Sequence, residues 1–272
     1  MMVINEAKCI GCGECVKDCF PRDIKMVGGK AIIENKRCIK CGHCIAICPV
    51  NAVSMDDYDM GDVKEYNKET FMIDDEHLLN FIKFRRTVRQ FTAQEVDETQ
   101  IMKIIEAGRF TQTGSNLQDV SYVVVRDGLS TLKELTLESL KATGEKILAD
   151  PSPQFEMFKP YAKLWIRMFE DYQLDATNDK LFFNAPLVVV ITANSDVNGA
   201  LAASNMELMT NALGLGTFFS GFMTRASAGN EKISEFLGLK EGKKVVTCMV
   251  IGHPAVSYQR TVPRKAAVIN WK

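Results

Sequence analysis

Apolar residues recur at helical spacing over most of the chain beyond residue 76. The 3.6-residue period of these positions predicts five helical stretches, at 77–86, 97–107, 129–149, 155–172 and 232–237. Continuous apolar runs rich in β-branched residues predict buried strands at 120–125, 186–192, 217–219 and 244–251. Helices and strands of this mixed order predict an α+β fold for this part of the chain.

A further helix is expected at Asn198–Leu213, where apolar residues cover nearly the whole helical circumference. A helix that is apolar on every side has to be buried on every side. We therefore expect either a central helix or a subunit interface here, ended by the glycines of Gly214-Leu215-Gly216.

An aromatic stripe marks the segment 151–177, with Trp165 near its middle. Such a stripe at helical spacing is more often core than cofactor cage, although Trp165 in this insertion would also suit the lining of a substrate lid. Cys248 lies inside an apolar strand and is expected to be a packing residue.

The first 55 residues have a different character. Lys25–Ile33 contains a Gly28-Gly29 pair that predicts a hairpin, and Val53–Met55 predicts a short strand. So few residues bury little core, so that metal ligation has to supply most of the order. Residues 56–76 are rich in acids, which favours a solvated linker over an acidic docking surface for a partner. The predicted division is thus 1–55, 56–76 and 77–272.

Composition excludes several classes of function. The chain has 272 residues, of which 46% are hydrophobic, and 33 Lys and Arg balance 34 Asp and Glu. A formal net charge of −1 gives no overall field that would favour nucleic acid or a membrane surface. No apolar run approaches the ~20 residues that span a bilayer, and the first residues lack the pattern of a signal peptide. We expect a cytoplasmic protein with neither nucleic-acid nor membrane partners.

Eight of the nine cysteines fall into two runs of identical spacing, C-x-x-C-x-x-C-x-x-x-C. These cysteines are Cys9, Cys12, Cys15 and Cys19, then Cys38, Cys41, Cys44 and Cys48. Two-residue gaps let three thiolates surround one cuboidal iron–sulfur cluster, while the fourth cysteine serves the neighbouring cluster. Zinc sites favour two separated C-x-x-C pairs, and disulfides require an oxidising compartment, so both alternatives are weaker.

This spacing resembles that of bacterial two-cluster ferredoxins. The resemblance implies a small ferredoxin-like domain with two 4Fe–4S clusters. It assigns one cluster to Cys9, Cys12, Cys15 and Cys48, and the other to Cys38, Cys41, Cys44 and Cys19. His43, inside the second loop, would either tune the potential of a cluster through a hydrogen bond or simply face solvent.

A second candidate site is distributed over several segments. Arg85-Arg86-Thr87-Val88-Arg89 concentrates three guanidinium groups, which match phosphate oxygens in pairs. Arg264-Lys265 follows Pro263 near the end of the chain. Thr111–Gln118 is small and rich in amides, and these groups both donate and accept hydrogen bonds. Taken singly, each segment would be a solvated face or an ordinary loop.

Together with Ala-Pro-Leu-Val-Val-Val-Ile, Leu-Gly-Leu-Gly-Thr and Ile-Gly-His-Pro further along, these segments resemble the nitroreductase family of FMN flavoproteins over about residues 78–272. The resemblance implies an α+β sandwich and a homodimer that uses the apolar helix as its interface. The implied FMN-binding residues are Arg85, Arg86, Thr87, Arg89, Arg264 and Lys265 at the phosphate and ribityl chain, Ser115, Asn116 and Gln118 along the flavin ring, and Ser220 and Gly221 at its N5 and O4 edge. Gln112 stands where the family often has proline.

The sequence therefore favours an iron–sulfur flavoprotein oxidoreductase that passes electrons between clusters and FMN and reduces an organic acceptor such as a nitro compound or a quinone. Reduced ferredoxin or NAD(P)H is the expected donor, although no Gly-x-Gly-x-x-Gly motif indicates a separate dinucleotide domain. Two alternatives stay open. One is an electron-transfer or redox-sensing protein without dedicated turnover, and the other is a protein for which FMN is only a substrate or ligand.

Overall fold

The structure, a computed structural model, describes all residues from Met1 to Lys272. The chain forms two compact units. The first contains Met1–Asp74 together with Thr113–Leu117, and the second contains Asp75–Gln112 and Gln118–Lys272. None of the helices combines the length and apolarity needed to cross a bilayer.

The first unit consists of short elements arranged as two similar halves. Its strands are β1 (Met2–Ile4), β2 (Ile24–Val27), β3 (Lys30–Ile33) and β4 (Val53–Met55), and its helices are α1 (Glu14–Asp18), α2 (His43–Ala46) and α3 (Lys68–Phe71). β1 pairs antiparallel with β4, and β2 with β3 across the expected Gly28-Gly29 turn. The acidic segment also carries a 3-10 turn at Met60–Asp62.

Little apolar surface is buried in this unit. One small cluster is centred on Met2, Val53 and Met55, and another on Ile24 and Ala31. Cys38 and Cys48 pack against the first cluster, Cys9 and Cys19 against the second, and Cys44 against both, so the core of the unit is built around the thiol groups themselves. Such a core is too small to stabilise a fold of this length without further cross-links.

The second unit is built on a four-stranded antiparallel sheet with the strand order β5-β6-β8-β7. The strands are β5 (Ser121–Val125), β6 (Leu187–Ala193), β7 (Gly216–Phe219) and β8 (Lys244–Gly252). The helices are α4 (Asp75–Phe84), α5 (Glu98–Arg109), α6 (Leu129–Ala149), α7 (Lys159–Leu174), α8 (Asp196–Ala212), α9 (Gly221–Ser227) and α10 (Glu231–Phe236). The seven-residue helix α9 is the only α-helix of this unit that the apolar pattern does not predict.

Alternate residues of the central strands face two different helical layers. Val188 and Val190 of β6 pack with residues of α6, α7 and α9, including the fully buried Trp165. Val189 and Ile191 pack on the other side, among residues of α5 and α8. Every residue of β6 is buried, as the continuous apolar run predicts for a central strand covered on both faces. The predicted α+β sandwich is confirmed.

The helix α8 departs from the expectation of burial on every side. Ala203 and Met206 are buried against the sheet and α5, whereas Val197 is 66% exposed and Leu201 is 50% exposed. Within a single chain α8 is therefore a half-buried helix rather than a central one, because the unit supplies a neighbour for one of its faces only.

Candidate functional site

The structure sorts the eight clustered cysteines around two cavities of the first unit. Cys9, Cys12, Cys15 and Cys48 line one cavity, and Cys19, Cys38, Cys41 and Cys44 line the other. The last cysteine of each run thus joins the first three of the opposite run, which is the grouping that the ferredoxin resemblance implies. All nine cysteines of the chain are free thiols, and no disulfide forms.

The two cysteine loops have the same backbone conformation. Gly11 and Lys40 hold equivalent positions with φ of 70° and 53°, and Gly13 and Gly42 follow with φ of 74° and 76°. At Gly11 an added Cβ would lie 2.2 Å from the carbonyl oxygen of Gly29, so only glycine fits there. These left-handed residues turn each loop around its cavity and start the short helix that carries the third cysteine.

Backbone amides donate to several of the thiol sulfurs. The amide of Asp23 donates to Cys19 Sγ at 3.3 Å, and that of Ala52 to Cys48 Sγ at 3.2 Å. A third amide, that of Lys40, donates to Cys38 Sγ at 3.4 Å. Hydrogen bonds of this kind stabilise negative charge on cluster ligands and help to set reduction potentials.

The thiols differ in how readily they ionise. Burial raises the pKa of Cys44 to about 12 and also raises the pKa of Cys15. In contrast, the backbone hydrogen bond from Ala31 lowers the pKa of Cys9. Thiolates are the metal-binding form, so cluster insertion at Cys15 and Cys44 has to displace protons.

The geometry of the cysteines fits a cluster better than a single ion. No group of three or more His, Cys, Asp and Glu side chains converges closely enough to hold one metal ion. Four thiols surround each cavity instead, as an Fe–S cube requires, and backbone amides donate to one sulfur at the first cavity and to two at the second.

A basic cleft in the second unit contains several of the predicted phosphate ligands. Its volume is about 890 Å³, within the ~300–1,000 Å³ typical of ligand pockets. Lining residues are Ile82, Lys83, Arg85, Arg86, Thr87, Glu207, Thr261, Val262 and Arg264. The structure thus brings Arg85, Arg86 and Thr87 together with the distant Arg264 in one cleft.

Local structure explains why the first three of these residues meet. Helix α4 ends at Phe84, and the chain then runs beside β7, where Thr87 forms a parallel bridge with Thr217. The Arg86 guanidinium donates to the carbonyl oxygens of Lys83, at 3.0 Å, and Arg260, at 3.2 Å. Arg86 therefore ties the end of α4 to the C-terminal tail that carries Arg264.

Arg85 forms an ion pair with Glu207 of α8, a residue that the sequence analysis missed. Their side chains are 21% and 20% exposed, and Arg85 Nε is buried without a hydrogen-bond partner. The signal in the sequence was a single acid in the otherwise uncharged body of an apolar helix. An arginine with an unused buried N–H, in a cleft with three further cations, Lys83, Arg86 and Arg264, fits an anionic group such as a phosphate.

Other predicted residues lie outside this cleft. Arg89 is not among the lining residues, and its guanidinium lies 5.4 Å from the ring centroid of Phe218. Lys265 is exposed and does not line the cleft either. The amide of Ser220 donates to Cys248 O at 2.8 Å, and its hydroxyl accepts from Met223 N at the start of α9. Ser220 thereby has a structural role, whereas Gly221 is exposed at the first position of that helix.

The amide-rich loop is conformationally unusual. Ser115, Asn116 and Gln118 have positive φ values of 51°, 54° and 46°. Asn116, in the part of the loop that belongs to the first unit, donates through Nδ2 to the carbonyl oxygens of Ile39, at 3.0 Å, and Lys40, at 2.9 Å. Backbone strain of this kind is concentrated at functional sites, at about 1–3 kcal/mol per residue.

Comparison with known proteins decides the family. The family described as "Nitroreductase family" matches residues 82–253, and the one described as "4Fe-4S dicluster domain" matches residues 1–63. The chain belongs to the nitroreductase family. It also carries an N-terminal 4Fe–4S dicluster domain.

Curated relatives of this nitroreductase-family chain are flavin oxidoreductases by name. An NADPH-flavin oxidoreductase of Vibrio harveyi is 28% identical over 169 residues, covering 62% of this chain and 62% of the relative. An FMN reductase (NAD(P)H) of Bacillus subtilis is 29% identical over 174 residues, covering 62% and 63%. The chain thus spans less than two thirds of the length of these relatives.

Solved structures share the fold. A nitroreductase with bound FMN from Bacteroides fragilis superposes with a TM-score of 0.53 at 19% identity, covering 71% of this chain and 97% of the other. A nitroreductase with bound FMN from Desulfitobacterium hafniense gives a TM-score of 0.51 at 21% identity, covering 73% and 100%. Both matches cover most of the residues beyond the cysteine loops and confirm the nitroreductase fold there.

Proposed function

We propose that the chain is an FMN-dependent iron–sulfur oxidoreductase with two 4Fe–4S clusters, which reduces a small organic acceptor such as a nitro compound or a quinone. One observation carries the proposal: a single chain combines two four-cysteine cavities with an arginine-lined cleft in a nitroreductase-family domain. When bound, the clusters would carry electrons singly and FMN would carry them in pairs.

The residues of the cleft would bind the anionic end of FMN. Arg85 offers a buried N–H, and Arg264 and Arg86 add positive charge to the same cleft. Thr87 supplies a hydroxyl, and its backbone is fixed by the bridge to β7. In this proposal Arg89 supports the fold by packing on Phe218 rather than by touching the phosphate.

Further residues are assigned to the flavin ring. Gly221, at the start of α9, would present its amide to the N5 and O4 edge, where a donor stabilises the charge of the reduced ring. The strained residues Ser115, Asn116 and Gln118 are proposed as polar neighbours of the ring because their backbone is held in a costly conformation. Ser220 shapes this edge by capping α9.

The donor is proposed to be NAD(P)H or a reduced ferredoxin. The names of the Vibrio harveyi and Bacillus subtilis relatives specify NADPH and NAD(P)H for those proteins. The cluster domain gives this chain an additional route for single electrons, which supports a one-electron donor.

We also propose a homodimer in which the exposed side of α8 meets a second copy. Val197 and Leu201 are exposed there, and the small exposed residues Ala200 and Ser204 share that face at helical spacing, which permits close helix packing. A twofold interface uses the same surface on both copies, and the exposed face of α8 can pack against the same face of a second α8. Light scattering of the purified protein should give twice the chain mass of 30.4 kDa.

An anaerobic acceptor screen tests the function. Protein purified without oxygen should contain about eight irons per chain, the number in two 4Fe–4S clusters, together with bound FMN. After photoreduction, a nitroarene or quinone should reoxidise the flavin and the clusters, so that both absorbance bands recover together. Catalytic turnover should follow when reduced viologen or NAD(P)H is supplied as electron donor. Cys248→Ala is the matched control, since this ninth cysteine is buried in β8 and should leave iron and turnover unchanged.

The outcomes discriminate between the alternatives. Bound flavin and iron without turnover on any acceptor would instead favour an electron carrier or redox sensor. Flavin released as product, or consumed stoichiometrically, would make FMN a substrate or ligand. Absence of flavin from the loaded protein would overturn the proposal.

A further inference from the structure

The two halves of the cluster domain differ at one position beside the crossing cysteines. Asp23 follows Cys19 by four residues, and Ala52 follows Cys48 by four residues. Each donates its backbone amide to the sulfur of that cysteine, at 3.3 Å and 3.2 Å respectively. The positions are therefore structurally equivalent, but one half has a carboxylate where the other has a methyl group.

Asp23 is placed at only one of the two cavities. It lines the cavity of Cys19, Cys38, Cys41 and Cys44, whereas Ala52 lines the cavity of Cys9, Cys12, Cys15 and Cys48. Both side chains are buried, with residue exposures of 1% and 4%. The difference between the halves is thus a difference in buried charge next to a cluster site.

The charge of Asp23 is only partly compensated. Its Oδ1 accepts hydrogen bonds from the amides of Lys36, at 3.2 Å, and Arg37, at 2.9 Å. Oδ2 is buried without any hydrogen-bond partner. The guanidinium of Arg37 donates to the carbonyl oxygen of Arg22 and does not neutralise the carboxylate.

The other cavity has no matching buried charge. Its one acidic lining residue is Glu14, whose side chain is 43% exposed and forms an ion pair with Lys17 at 2.7 Å. Water and that lysine screen Glu14, while the interior around Asp23 screens poorly. The net charge near a cluster is one of the terms that set its potential, since added negative charge opposes reduction.

We propose that Asp23 makes the two clusters unequal, so that the cluster of Cys19, Cys38, Cys41 and Cys44 has the lower reduction potential. At equilibrium a single electron then rests on the cluster of Cys9, Cys12, Cys15 and Cys48. Asp23 is a positioning residue for the electron and not a ligand. The inference rests on the proposed function only in requiring that both clusters are bound.

A redox titration of the anaerobically purified holoprotein, followed by electron paramagnetic resonance, tests this. The wild type should show two separate one-electron waves. Asp23→Asn keeps an oxygen that can accept from Lys36 and Arg37 but removes the charge. The variant should raise the midpoint potential of the lower wave by about 59 mV, which is a tenfold increase in the equilibrium constant for one-electron reduction. The midpoint potential of the upper wave should stay unchanged.

The equivalent position provides the matched variants. Ala52→Asp should lower the midpoint potential of the upper wave and leave that of the lower wave unchanged. Ala52→Asn adds no charge and should shift both midpoint potentials by much less. If Asp23→Asn fails to retain iron, the titrations of the wild type and of the two Ala52 variants still test the proposal. A single wave in the wild type, a shift of the upper wave in Asp23→Asn, or equal shifts of both would overturn the proposal.

Failure here can be distinguished from failure of the proposed function. Two loaded clusters with the predicted potentials, but no turnover on any acceptor, would leave the role of Asp23 intact and refute the enzyme. Turnover by a protein whose two clusters have equal potentials would support the enzyme and refute the role of Asp23.

Discussion

Replacement of Arg85 by alanine tests the flavin site most directly. Its guanidinium is 21% exposed and is the one in the basic cleft with a buried N–H that lacks a partner. A hydrogen bond to a charged group contributes about 1.5–3 kcal/mol. At about 1.4 kcal/mol for each factor of ten, Arg85→Ala should weaken FMN binding roughly 10- to 150-fold.

The ion pair with Glu207 complicates this variant, because alanine leaves a carboxylate that is 20% exposed without its partner. Breaking a fully buried pair costs about 3–5 kcal/mol, and partial exposure should reduce this to about 1–2 kcal/mol of unfolding free energy. The double variant Arg85→Ala with Glu207→Gln separates the two effects. It should recover stability, because no unpaired charge remains, but it should not recover FMN affinity.

The assay needs three readouts on the same preparations: flavin fluorescence during titration of FMN into flavin-free protein, iron content, and urea unfolding. Arg167→Ala is the control, since its side chain is 75% exposed on α7. Iron should stay constant in every variant, because all eight clustered cysteines lie in the first unit. Recovery of FMN affinity in the double variant would show that Arg85 acts only through the fold. Loss of iron with flavin retained would refute the division into two sites.

Three further substitutions follow from the packing. Gly11→Ala should speed iron loss to a chelator far more than Gly13→Ala. Both residues have positive φ, but only at Gly11 would the new Cβ meet the Gly29 carbonyl, at 2.2 Å. Gly144→Ala should lower the unfolding free energy by about 1 kcal/mol or more, despite the better helix propensity of alanine, because its Cβ would lie 2.8 Å from a backbone carbonyl oxygen of α7. Tyr122→Phe should raise the unfolding free energy by about 1 kcal/mol, since the buried hydroxyl of Tyr122 has no hydrogen-bond partner. Burial raises the pKa of Tyr122 to about 12, so the wild type should lose stability above pH 10, where the unfolded tyrosine ionises first, and the variant should lose less. Urea unfolding at pH 7 and pH 10.5 measures both effects.

The cysteine loops were predictable because their information is local. Spacing of two residues, with glycine at Gly13 and Gly42, specifies both the loop and the direction of its thiols. The sheet was predictable for a related reason: β6 is buried on both faces, and a continuous apolar run is what that environment selects. In both cases the short-range pattern and the tertiary environment impose the same requirement.

The flavin site was predictable only in part, because its residues come from distant segments. Family resemblance grouped Arg85, Arg89 and Arg264 at one phosphate site. In the structure Arg85 and Arg264 line one cleft, whereas the guanidinium of Arg89 lies over the ring of Phe218. Arg85 and Arg86 both line the cleft although they are neighbours, so the spacing of arginines along the chain does not tell which of them face it. Glu207 was missed because its signal, a single acid in the uncharged body of an apolar helix, does not tell which cation of another element it will meet.

Spacing identifies ligands, but it does not identify the electrostatic field around them. The repeated cysteine motif gives two sites that are equal in ligand type and number, and a symmetric pair of clusters offers no preferred resting place for an electron. Asp23 and Ala52 hold equivalent positions beside the two sites and differ in charge, and both residues can be read from the sequence. Their meaning depends on burial, on an orphaned carboxylate oxygen and on which cavity each residue lines, all of which are properties of the folded domain. In this domain we therefore expect Asp23 and Ala52, which follow the ligands, to bias where an electron rests, while the ligands themselves provide the sites that can hold it.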